Sequence, residues 1–182
     1  MTFDIFAVVG DIHLSRGIVK EKLLQWNEAI EDYRKANQLF RSSNPFASND
    51  DATAFSNIAN AETGLLQWEN AYRDFSYAAK LKPDFIAPKI GRALVQYQLG
   101  LYDEADDYFD SLVDLYPDFP DGQALLAISS FHKGDIDSAR VHWEKAIELD
   151  SRYSDLEWLR DIRRWTPKLL DDTSAFLKYS KQ

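Results

Sequence analysis

The sequence predicts an all-α protein, a solenoid of about four helix-turn-helix repeats closed at its carboxyl end by a helical cap. Two observations carry this expectation. A unit of about 34 residues recurs along the chain, and the stretches between its glycine and proline marks are amphipathic with helical period. No alternating pattern of useful length argues for strands.

The repeat shows first as Leu23-Leu24-Gln25-Trp26 returning as Leu65-Leu66-Gln67-Trp68, each followed by a small residue, Ala29 and Ala71. Ala105 and Ala139 fill the same place later, giving spacings of 42, 34 and 34 residues. The longer first interval places an insertion at about 41–51, around Asn44-Pro45. Four residues beyond each alanine comes a ring, Tyr33, Phe75, Phe109 or Trp143, and three later Ala36, Ala78, Leu112 or Ala146. Spacings of three and four set these side chains on one helical stripe, a packing face. Gly100 and Gly134 stand where a first helix ends in a left-handed residue, and Pro83 and Pro117 close second helices. The repeats fall at about 10–43, 52–85, 86–119 and 120–153, in one domain. Beyond them, Ser154 and Glu157 suggest a capping box for a helix ending near Trp165, and Pro167 opens a last helix; together 154–182 make the cap.

These residues resemble the tetratricopeptide-repeat family, whose units place a small residue on the first helix, then alanine, an aromatic ring and alanine on the second, then proline. Gly17 keeps the first-helix glycine, while Ala59, Ala93 and Ala127 replace it with another small residue. The resemblance implies a right-handed solenoid whose first helices line a concave groove that holds a protein partner. Carried onto this chain, the groove residues are Asp11, Leu14, Ile18, Glu21 and Lys22, then Thr53, Ser56, Asn60 and Thr63. Ala87, Ile90, Leu94, Tyr97 and Gln98 follow, then Asp121, Ala124, Ile128, Phe131 and His132. That surface is mainly apolar, suited to a helix or a segment with aliphatic anchors. The basic clamp by which chaperone co-factors of this family hold a carboxylate is missing: Leu14, Ala87 and Gly91 occupy its places, with only Asn57 and Asn60 to imitate its amides.

Composition narrows the partner. Lys and Arg total 21 against 30 Asp and Glu, a formal charge of −9, which repels a nucleic-acid backbone. There are no cysteines, hence no disulfide and no thiolate metal site. The apolar run Ile5 to Val9 is too short to span a bilayer, so a soluble chain is expected. Asp103, Glu104, Asp106, Asp107, Asp110, Asp114, Asp118 and Asp121 fall in one stretch without a Lys or Arg, an acidic ridge suited to a basic partner. Arg160, Arg163, Arg164, Lys168, Lys178 and Lys181 make the tail basic, suited to acidic loops or an anionic membrane.

Asp11-Ile12-His13 looks like the Asp-x-His metal motif of calcineurin-like phosphoesterases, but no later segment completes such a site and the local pattern is helical. Neither a His-Glu-x-x-His motif nor a phosphate loop is present, so catalysis and a cofactor are not expected. The tail, with Asp155-Leu156-Glu157-Trp158, Ile162-Arg163-Arg164-Trp165 and Pro167, resembles that of tetratricopeptide proteins of cyanobacteria and plastids, although Thr166 replaces a proline of that pattern. This resemblance implies an assembly factor or accessory subunit of a thylakoid photosynthetic complex, soluble or peripherally attached. A cytoplasmic adaptor is the alternative.

Overall fold

The computed structural model describes residues 4–43 and 48–180; Asn44-Pro45 of the insertion and Lys181 of the basic tail lie outside the described residues. Within them the chain is helical: α1 (Ile5–Lys22), α2 (Trp26–Ser43), α3 (Ser48–Gly64), α4 (Trp68–Leu81), α5 (Ile86–Gln98), α6 (Tyr102–Leu115), α7 (Pro120–His132), α8 (Ile136–Leu149), a 3-10 turn (Ser151–Ser154), α9 (Leu156–Asp161) and α10 (Pro167–Tyr179). There are two compact units, Met1–Val95 and Gln96–Gln182.

In the first unit α1 packs on α2, α2 on α3 and α3 on α4; in the second α6 packs on α7 and α7 on α8. The small residues allow this. Ala29, Ala71, Ala105 and Ala139 are fully buried, as are Ala59, Ala93 and Ala127 on the first helices. Tyr33, Phe75, Phe109 and Trp143 are buried beside them. Gly17 is needed for close approach, since a Cβ there would lie 2.6 Å from the Tyr33 ring. Gly91 is tighter still, 2.4 Å from Phe75, so the missing clamp residue at this position is a packing requirement of the second repeat's aromatic ring.

Every first helix ends by one device. A backbone amide beyond the helix bonds back to a carbonyl of the last turn, as Gln25 to Lys20, Gln67 to Glu62, Leu101 to Gln96 and Asp135 to Ser130, each at 2.9 Å. The residue before each donor is left-handed. Gly100 and Gly134 take φ of 79° and 85° as expected, but Leu24 and Leu66 hold the same place at φ 59°. A leucine there carries a steric cost that glycine avoids. Leu24→Gly, at an exposed position, is therefore expected to raise stability by about 0.5–1 kcal/mol in urea unfolding; an unchanged midpoint would show that the turn carries no such cost.

The cap differs from expectation in two details. Asp155, not Ser154, caps α9: its carboxylate accepts from the amides of Glu157 and Trp158, while the Ser154 hydroxyl donates to the Ser151 carbonyl. Asp is the better acceptor, and Ser154 is already inside the 3-10 turn. The helix also stops at Asp161, short of Trp165, because the chain turns over Arg164 at φ 55° to bury Trp165 and Thr166. Pro167 opens α10 as expected.

Candidate functional site

In the first unit the first-helix residues remain partly open. Asp11, Ile18 and Lys22 are exposed; Leu14, Glu21, Thr53, Asn60, Thr63 and Ile90 are half-buried; Ala87 is exposed, while Ser56 and Leu94 are buried. Behind this surface lies an ion network. Asp32 of α2, 2% exposed, accepts from His13 Nδ1 at 2.9 Å and Arg16 Nε at 2.8 Å, and pairs with Lys20 Nζ at 2.8 Å. Arg16 first, then Lys20 and His13, hold its carboxyl well below the usual range against the cost of burial. His13 thus sits in mid-helix against a structural carboxylate, the geometry of a packing residue. Among the described residues no three His, Cys, Asp or Glu side chains gather as metal ligands.

The second repeat inverts that arrangement. Glu62 and Asp74 stand at the repeat positions of Lys20 and Asp32. Glu62 is 2% exposed, and its Oε2 has no hydrogen-bond partner. Burial, then the nearby Asp74 charge, pushes its carboxyl up to about 7. Sequence reading passes over Glu62; setting Lys20 above Glu62 in the repeat alignment is the signal that finds it.

In the second unit the corresponding residues meet the chain's own cap. Tyr97 donates to Asp172 of α10 at 2.7 Å, and His132 pairs with the same carboxylate at 3.2 Å. Gln98 accepts the Lys168 amide at 2.9 Å. Phe131 stacks edge-on to Phe176, with ring centres 5.3 Å apart. Ala124 and Ile128 are fully buried. Asp121, 4% exposed, accepts from Arg163 Nε at 2.9 Å and from the Tyr153 hydroxyl, joining α7 to the segments that lead to α10.

The charged tracts divide in the same way. Asp103, Glu104, Asp107, Asp110, Asp114 and Asp118 are exposed, whereas Asp106 is buried and bonded to Ser129 and Lys133. Of the basic tail, Arg163 serves Asp121, Lys168 pairs with Asp172 at 2.7 Å, Arg160 pairs with Asp161, and Arg164 is half-buried. Lys178 is exposed. A helical face repeats every 3.6 residues, so an unbroken run of one charge sign must turn some members inward.

A tetratricopeptide-repeat family model matches residues 91–118. No curated protein matches the chain. Among solved structures, a crystal structure of MamA is 19% identical, covers 80% of each chain and has a TM-score of 0.64. MamA from Desulfovibrio magneticus RS-1, residues 41 to the end, is 13% identical over 94% of this chain and 95% of its own, at 0.65. Pseudomonas aeruginosa pilF is 19% identical over 92% of this chain and 72% of its own, at 0.63. At these identities the likeness speaks for architecture alone: the fold is all-α, of the tetratricopeptide-repeat type, with a carboxyl-terminal helical cap.

Proposed function

We propose that the protein is a non-catalytic scaffold that holds a segment of another protein on the first helices of its amino-terminal unit. The observation that carries this reading is the contrast between the units. Ile18 is 40% exposed and Leu14, Asn60 and Ile90 are half open, whereas Tyr97 is buried and Gln98, Phe131 and His132, themselves half-buried or exposed, already bond or stack with α10. On this surface Leu14, Ile18 and Ile90 suit aliphatic anchors on a helix or extended segment, and Asp11, Glu21 and Lys22 offer charge of both signs beside them. The finer reading, an accessory or assembly factor of a thylakoid photosynthetic complex, rests on the resemblance of the 153–177 tail.

The test is affinity capture from membranes and soluble extract of an oxygenic phototroph, comparing wild type with an Ile18→Glu, Ile90→Glu double variant. Val141→Glu on α8, a 65% exposed position, is the control. A photosynthetic-complex subunit captured by wild type and control but lost at least about tenfold by the folded double variant is expected. Equal capture by all three removes this surface from consideration. A partner found only in soluble extract replaces the thylakoid reading with the soluble adaptor.

A further inference from the structure

The remaining surface of α1 has no partner within the described residues of its unit. Ile5 is 64% exposed, Val8 40%, Ile12 59% and Val19 56%, and half of the large apolar side chains left exposed in the described chain lie before Gln25. The face opposite is the one committed to the fold: Gly10 and Gly17 lie against Phe40 and Tyr33. A helix that is apolar on both sides is built to be covered on both.

We infer that a second copy of this chain covers this stripe, the two α1 helices lying side by side and parallel. The spacing identifies the occupant as a helix. Ile5, Ile12 and Val19 recur every seven residues with Val8 and Ser15 between them, the seam by which one helix follows another. β-branched residues fill the first seam position throughout, as they do in two-stranded parallel coils, and with Val8 they form the apolar part of the seam, while Ser15 at the second position is small enough to let the helices approach. Charge identifies the helix as a second copy. Asp11 and Arg16 flank the seam on opposite sides, five residues apart, so a parallel pair brings each Asp11 to Arg16 of the second copy, twice by symmetry. Arg16 keeps 56% of its side chain exposed while its Nε and Nη2 bond Asp32, so a contact with Asp11 of the second copy would fall to Nη1. Antiparallel pairing would instead set the two Asp11 sides together. Asp4 and Asp11 on this face, with the chain's charge of −9, argue against an anionic lipid surface. Since α1 is already folded on α2, association does not have to form the helix.

Sedimentation equilibrium of the full chain is expected to give twice its 21.0 kDa mass at micromolar concentration. Ile12→Asp, at an exposed position, is expected to keep the helical circular dichroism and weaken the dimer at least about tenfold. The sequence has no cysteine, so Ser15→Cys reports register cleanly: oxidation should link it to itself in high yield. The inference is overturned by a monomeric wild type, whether or not it floats with anionic phosphatidylserine vesicles, or by a dimer that Ile12→Asp leaves intact. Cross-linking of Val8→Cys to Val19→Cys in place of Ser15→Cys to itself overturns the parallel pairing.

Discussion

Raising the pH from 4.5 to 8 is expected to cost the wild-type protein about 3 kcal/mol of stability through Glu62 alone, and the Glu62→Gln variant should escape that loss. The carboxyl is raised from 4.5 to about 7 in the folded chain. A group raised on folding gives its full stability below its unfolded value and loses it as pH climbs through the folded one. Every tenfold gain in proton affinity on folding is worth about 1.4 kcal/mol. Burial is the main cause, because Glu62 is 2% exposed with one oxygen unpartnered, and Asp74 adds repulsion where the first repeat has the Lys20–Asp32 attraction. Urea titrations of both proteins at pH 5 and pH 8 test this. Equal pH slopes for the two would mean that Glu62 finds water or a cation when ionised, and the account of its burial would be wrong.

Phe176→Ala should destabilise the second unit by about 3–4 kcal/mol, the usual cost of emptying a buried phenylalanine site. The ring is 1% exposed and packs between Phe131 and Trp143, with centres 5.3 and 5.5 Å away. Loss of this anchor leaves α10 held by the fully buried Leu169 and by polar contacts, among them Tyr97–Asp172 and Lys168–Gln98. Hydrogen exchange should therefore accelerate in the α10 amides before those of α7, which has its own packing on α6 and α8. If α10 amides stay as protected as in wild type, the ring is not what holds the helix.

The hairpins are legible in the sequence because their signals are local. The alanine and aromatic stripe, Gly100 and Gly134, and Pro83 and Pro117 each state their conformational role within one or two helical turns. The cap at Asp155 is hidden because Ser154-x-x-Glu157 satisfies a capping box equally well on paper; the 3-10 turn that claims Ser154 is not encoded in that four-residue window. Asp106 and Asp121 pass for solvated residues like their neighbours since one-dimensional charge carries no facing, and their partners Lys133 and Arg163 lie 27 and 42 residues away. The left-handed leucines need only a comparison of Leu24 and Leu66 with the glycines of later repeats, a comparison that propensity alone argues against.

The α10 helix against Tyr97, Phe131 and His132 also sets a kinetic and entropic rule for that face. A short connection, Ile162 to Thr166, ties α10 to α9, so the helix returns to its seat at an effective concentration in the millimolar range. Binding there is an exchange reaction, not an addition: a dilute ligand must first wait for the helix to leave and then outlast its return. The first-helix surface of the amino-terminal unit carries no such tethered competitor among its described contacts, so two surfaces built from one repeat sequence differ in how readily they admit a guest.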